Sequence, residues 1–185
     1  MQLRNDFSKS LDTPLFKVIS EEASSLGIKA YVIGGFVRDH LLNRDNKKDI
    51  DIVAIGSGIQ LAKSVQKKLK GSKPVKVFKT YGTAMIHWNQ IDIEFVGSRK
   101  ESYSENTRNP HVEPGTLEDD QNRRDFSINA LALSLNLEDF GLLLDPFNGI
   151  SDLENKILRT PLDLSLIHIS EPTRPERIGG GGGGG

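Results

Sequence analysis

Asp49 and Asp51 stand two apart in a run, DIDIVAI, that alternates carboxylate and aliphatic side chains. In an extended strand such a pair leaves the same face, about 6 to 7 Å apart along the chain. Hard divalent cations suit that oxygen pair: Mg²⁺ takes octahedral oxygen coordination and keeps waters and substrate phosphates in its shell while one or two carboxylates anchor it. A second alternating run, Ile91-Asp92-Ile93-Glu94, puts two more carboxylates on one strand face, and either can reach a neighbouring DxD. With a third carboxylate the set fits two-metal phosphoryl chemistry, one metal activating a 3′ hydroxyl and the other stabilising a leaving pyrophosphate. Taken alone, two acids on a strand more often mark a solvated face. The neighbouring residues therefore carry weight.

Gly34-Gly35 directly precedes a helical pattern whose first turn contains Arg38, so backbone N–H groups and a cation converge on a space suited to a triphosphate. Asp39 in the same turn reads as an ion-pair or helix-turn partner rather than a catalytic group. Farther on, Arg123-Arg124-Asp125-Phe126 presents two cations and an acid at the entry to an apolar run, followed by Asn129. Arginines suit phosphate through bidentate geometry, yet Asp125 equally fits a helix cap and Asn129 a partner for buried backbone. His40, His87 and His111 lack partners at metal-ligand spacing and read as ordinary surface or strand histidines. Trp88, Tyr103 and the phenylalanines read as core rather than base-stacking platforms. The cluster Lys63, Lys67, Lys68 and Lys70 fits a solvated helix face, with RNA contact as the alternative.

These groups need a scaffold that alternates helix and strand. Thr13-Pro14 starts a helix whose Leu15, Phe16, Ile19, Ala23 and Leu26 recur at helical spacing before Gly27. A strand over 30–33, the glycine turn and a helix over 37–42 follow, then a strand over 49–55 and a helix over 59–69. Strands are expected at 75–78, 83–88 and 91–96, with Asn89-Gln90 as a tight turn. Residues 97–122 read as a long polar loop, 126–133 as a helix or helix start, 142–144 as a short strand and 151–155 as a helical turn.

The chain of 185 residues has a net charge of −1, so any RNA grip must come from a local basic face or another domain. Absence of cysteine excludes disulfides, thiolate zinc sites and cysteine nucleophiles. No secretory signal or membrane-spanning run is present, which makes the cytoplasm the expected location and excludes a membrane partner. Residues 164–185, LSLIHISEPTRPERIGGGGGGG, break with the periodic text before them. Their first half looks like a translated sequencing adapter and the glycine run like the signal-free calls that follow one. The expected organisation is a catalytic domain over 1–163 and a non-native, disordered tail over 164–185, with His168 excluded as a ligand.

GGFVRD at 34–39, DIDI at 49–52 and RRDFSINA at 123–130 occur in the order and spacing of one family, joined by YGTAMI, IDIEFVGSRKESY, TLEDDQNRRDF and LLDPFNGISDLENKILRTP. Over nearly all of residues 14–163 the chain resembles the class II tRNA nucleotidyltransferase and poly(A) polymerase family, and within it the bacterial CCA-adding branch with a trailing HD-type domain. The resemblance implies an α/β (α+β) head with the polymerase-β-like nucleotidyltransferase fold, a mixed sheet flanked by helices. It also implies catalytic Mg²⁺ on Asp49 and Asp51, Asp92 as the third strand carboxylate, and Gly34, Gly35 and Arg38 against the incoming nucleotide. Arg124, with Asp125 and Asn129, would hold triphosphate and ribose. Ser127 stands where threonine is commoner and keeps the hydroxyl. The implied activity is template-independent addition of CCA to tRNA 3′ ends from CTP and ATP, with a poly(A) polymerase using ATP alone as alternative. A third expectation, of another class, is an inactive nucleotide- or RNA-binding fragment, since the family's base-reading motif and RNA-gripping body do not follow Pro161.

Overall fold

A computed structural model describes residues 6–45, 48–102 and 111–161. Proline at the first helical position and the Thr13 side chain accepting from the Phe16 N–H start α1 (Pro14–Ser25). Gly27, at φ +66°, lets the chain leave the helix and enter β1 (Lys29–Ile33). Next come α2 (Gly35–Leu41), β2 (Asp49–Ile55) and α3 (Gly58–Lys68), the last capped by Ser57. The strands β3 (Lys76–Phe78), β4 (Thr83–Trp88) and β5 (Ile91–Gly97) form a meander. Asn89 and Gln90 both have positive φ, as a two-residue turn matched to strand twist requires.

Two sequence expectations are corrected here. Residues 97–122 are not one loop: they contain β6 (Arg99–Ser102), β7 (His111–Pro114) and α4 (Leu117–Asn122). Among the described residues the two strands pair with each other in a sheet of their own, and α4 opens with a reciprocal cap between Thr116 and Asp119. Nor do residues 126–133 form an α-helix. They make a 3₁₀ turn at Ser127–Asn129 and then enter β8 (Ala132–Ser134), because β1 offers an open edge on which Ala132, Leu133 and Ser134 can pair. The chain continues through β9 (Leu143–Leu144) to α5 (Gly149–Glu154).

Seven strands form the main sheet in the order β3-β4-β5-β2-β1-β8-β9. All its pairings are antiparallel except β2 with β5. The molecule is thus a mixed sheet flanked by helices, as expected. Side-chain alternation gives the sheet two unlike faces. Ile50, Ile52, Ala54, Ala84, Ile86, Ile93 and Phe95 are buried in one core with Phe16, Ile19, Leu61 and Val65 of α1 and α3. Lys63, Lys67, Lys68 and Lys70 are exposed on α3 or just beyond its end, on this covered side of the sheet. Trp88 packs against the same core and donates its indole N–H to the Lys70 carbonyl at 3.0 Å.

The opposite face carries Asp49, Asp51, Asp92, Glu94, Met85, His87 and Lys76, by strand register. Part of it is closed by a second apolar cluster, Tyr31, Ile33, Val53 and Ala132, against which Leu117 of α4 packs. No helix among the described residues is long and apolar enough to cross a membrane. Residues 162–185, including the expected tail and His168, and Tyr103, lie outside the described residues.

Candidate active site

Antiparallel pairing to β1 and parallel pairing to β5 place the N-terminal end of β2 in the middle of the sheet. Asp49 is in register with Asp92, and Asp51 with Glu94, so four carboxylates share one face of two adjacent strands. Adjacent strands are about 4.8 Å apart, close enough for the acids to feel one another. Burial raises the Asp51 carboxyl above its ordinary value; Arg124 pulls it back, while Asp49 and Asp120 push it further up. Glu94 is also raised, first by burial and then by Asp51, with Arg124 again opposing. Asp92 lies differently: its Oδ1 stands 2.7 Å from His87 Nδ1, across the β4–β5 pair.

At the end of β1 the chain turns through Gly34, whose φ of +83° belongs to glycine. A Cβ at Gly34 would stand 3.5 Å from Arg124 Nη1 and 3.6 Å from Asp51 Oδ2. The glycine turn, the metal-type carboxylate and the arginine therefore meet at one point. Gly35 opens α2, and a Cβ there would lie 3.4 Å from Arg38 Nη2. Arg38 is held on two sides, its Nε donating to Asp39 Oδ1 at 3.0 Å and its Nη1 to Asn129 Oδ1 at 2.8 Å. Asn129 in turn donates to Asp125 Oδ1 at 2.9 Å, which also accepts the Phe126 N–H at 2.8 Å. The expected ion-pair role of Asp39 is what the geometry shows, and Asn129 bridges two charged side chains rather than satisfying buried backbone.

Asp120 is passed over at the sequence level, yet it orients the arginines. Its Oδ2 accepts from Arg124 Nε at 3.2 Å and Nη2 at 3.0 Å, and its Oδ1 lies 3.6 Å from Arg123 Nη2. The legible signal was the i,i+4 spacing of Asp120 and Arg124 behind a T-x-x-D cap, had 117–122 been read as helix. Ser127 Oγ donates to Asp152 Oδ2 at 2.6 Å, tying the turn that presents Asn129 to α5. Of the histidines, His87 has its acid partner, and His40 stacks on Phe36 with ring centroids 6.4 Å apart; the His111 side chain is outside the described residues.

Chemically, the arrangement sets an open acidic floor beside a glycine turn and two buttressed guanidinium groups, which accommodates a polyphosphate together with divalent cations. Among the described residues no three acids or histidines close into a ready cage for a metal. The donor set fits a hard cation all the same, since the burial and mutual repulsion that raise Asp51 and Glu94 disfavour a charge that such an ion offsets, and a metal shared with a nucleotide needs only one or two carboxylates.

A mixed sheet of this topology with α1 and α3 behind it is the head domain of a nucleotidyltransferase. The chain belongs to the family described as Poly A polymerase head domain, whose model matches residues 30–159. It is 40% identical over 147 residues to the A-adding tRNA nucleotidyltransferase of Aquifex aeolicus, covering 80% of this chain and 17% of that protein. With the CCA-adding enzyme of Streptococcus thermophilus it shares 35% identity, over 85% of this chain and 35% of the relative. A tRNA nucleotidyltransferase solved with a primer tRNA and an incoming ATP analogue superposes with a TM-score of 0.69 at 38% identity, covering 81% of this chain and 40% of that one. A CCA-adding enzyme in complex with CTP gives 0.72 at 32% identity, covering 91% and 38%. The chain thus spans well under half the length of the relatives it matches.

Proposed function

We propose that this chain is the catalytic head of an enzyme that completes the CCA end of tRNA from CTP and ATP. In this reaction the 3′ hydroxyl of the acceptor attacks the α-phosphate of the incoming nucleotide and pyrophosphate leaves. The observation that carries the proposal is the meeting of Asp51, the Gly34 turn and Arg124 at one point on the open sheet face. Asp49 and Asp51 would hold Mg²⁺, which when bound lowers the pKa of the attacking hydroxyl and offsets charge on the leaving pyrophosphate.

The chain's own residues do the positioning. Lack of side chains at Gly34 and Gly35 leaves room for a triphosphate to approach the backbone. Arg124, aimed by Asp120, and Arg38, aimed by Asp39 and Asn129, present guanidinium groups whose geometry is set before the nucleotide arrives. The third-carboxylate role expected of Asp92 falls better to Glu94, which is in register with Asp51 and electrostatically coupled to it, whereas Asp92 is engaged by His87.

A second reading within the same chemistry is addition of the terminal A alone, favoured by the names of relatives such as those of Aquifex aeolicus and Geobacter sulfurreducens. Poly(A) synthesis is less favoured, because the relatives' names specify tRNA. Full-length protein with Mg²⁺, labelled CTP or ATP, and tRNA ending either before CCA or after CC separates these. Incorporation of CTP and then ATP into the shorter tRNA supports CCA addition; ATP into the CC-ended tRNA only selects A addition; ATP into unrelated RNA would sink both. Asp49→Ala should abolish incorporation while leaving thermal unfolding cooperative.

A further inference from the structure

The glycine turn and Asn129 lie to one side of the central strand. In the sheet order β3-β4-β5-β2-β1-β8-β9, Gly34 and Gly35 follow β1 and Asn129 precedes β8, with Arg38 bonded to Asn129, while Arg124 stands between this turn and Asp51 of β2. α4 covers that side of the face through Leu117. Attacking and leaving oxygens in phosphoryl transfer are roughly in line across the phosphorus. A pyrophosphate leaving toward β1 places the attacking hydroxyl on the β5 side of the phosphorus. An acceptor strand laid over the open face from that side crosses β5, β4 and β3.

That stretch is acidic next to β2 and basic at its outer end. One row across the sheet runs Asp51, Glu94, Met85, Lys76, each in register with the next. Lys76 stands three strand spacings from Asp51, about 14 Å. Lys73 joins it, because its backbone N–H donates to the His87 carbonyl at 3.0 Å and holds residues 70–73 against the end of β4. Lys73, Pro74, Lys76, Met85, His87 and Asp92 line a pocket of about 120 Å³ there. Both lysines are exposed, and among the described residues neither ammonium is in a salt bridge with an acid. The one acid in the pocket, Asp92, is engaged by His87.

We propose that Lys73 and Lys76 form the landing site for the phosphates of the acceptor strand one or more nucleotides upstream of its reacting 3′ end. The partner is a single-stranded RNA 3′ terminus, gripped through its backbone and hence without regard to base. This assignment rests on the nucleotide-transfer function proposed above. The competing explanation is that lysines on the edge strand β3 only discourage edge-to-edge pairing of sheets.

The test is a Lys73→Gln/Lys76→Gln double variant of the full-length protein, with Lys63→Gln/Lys67→Gln, on the covered side of the sheet, as control. Steady-state kinetics should show the KM for tRNA rising about tenfold, with the KM for nucleotide and kcat at saturating tRNA unchanged. Binding of a 3′-labelled RNA, read by anisotropy without turnover, should weaken in parallel. Its log K against log salt slope should become shallower by about 1.4, two phosphates at about 0.7 each for single strands. A Lys73→Arg/Lys76→Arg variant should bind as wild type. Unchanged tRNA KM and salt slope overturn the proposal, as does an equal effect in the control. Should wild type transfer no nucleotide, the reaction assignment fails, while the anisotropy comparison still decides whether these lysines hold RNA.

Discussion

Asp51→Asn should make the protein more stable at neutral pH while abolishing nucleotide transfer. Asp51 shares its sheet face with Asp49 and lies in register with Glu94, and Asp120 approaches through Arg124; the cation that opposes the raised Asp51 is Arg124, which Asp120 already engages. Burial is the largest influence on Asp51, so its folded-state pKa is raised and the charged form is the disfavoured one. The sign follows from linkage: a raised carboxyl adds stability only where it is protonated, and that contribution is lost as pH rises through the folded value. At neutral pH the wild-type chain therefore carries the full cost of the charge. Asparagine keeps the shape and removes the charge, and Glu94, raised in part by Asp51, is relieved as well. Relief of such a strained functional site is worth about 0.5–2 kcal/mol, or about 2–4 °C in Tm per kcal/mol for a chain of this size. Differential scanning calorimetry at pH 7 should show the gain, and it should vanish below the ordinary carboxylate value of 3.8. Mg²⁺ should stabilise the wild type, by about 2.7 kcal/mol at a hundred times Kd, and raise its Tm accordingly, while stabilising the variant far less. A variant less stable at pH 7, or stabilised by Mg²⁺ as much as wild type, refutes both the charge accounting and the metal assignment.

Gly34→Ala should cost about 1–3 kcal/mol through its positive φ rather than through crowding, since the added methyl meets Arg124 and Asp51 only at ordinary contact distance. The KM for nucleotide should rise with it; unchanged Tm and KM would show that the turn tolerates a side chain. Ser127→Ala leaves Asp152 without its buried partner and should lower stability by about 1–3 kcal/mol in urea unfolding. Because Ser127 faces α5 and not the carboxylates, nucleotide KM at a temperature well below Tm should be unchanged, and Ser127→Thr should restore stability.

Alternation of acid and aliphatic residues was enough to read β2 with its bounds, and Asp49 and Asp51 as a pair on one face, because period-two spacing is a local property of the extended chain. The strand β4 and the Asn89-Gln90 turn were legible for the same reason. Residues 126–133 read as a helix or helix start; a 3₁₀ turn does form at Ser127–Asn129, but the open edge of β1 takes Ala132–Ser134 as β8. Short β6 and β7 carry too little pattern to announce themselves, since among the described residues each is paired by the other.

The residue types thus settle by themselves which chemistry is available: paired carboxylates, a glycine turn and adjacent arginines are recognisable wherever they fold. Which of two acids on β5 stands beside Asp51, and that Asp120 aims Arg124, depend on strand register and on where α4 packs. Those are relations between segments far apart in the chain. They are decided by burial of Val53, Ile33 and Leu117 in one cluster, and only the folded sheet brings those side chains together.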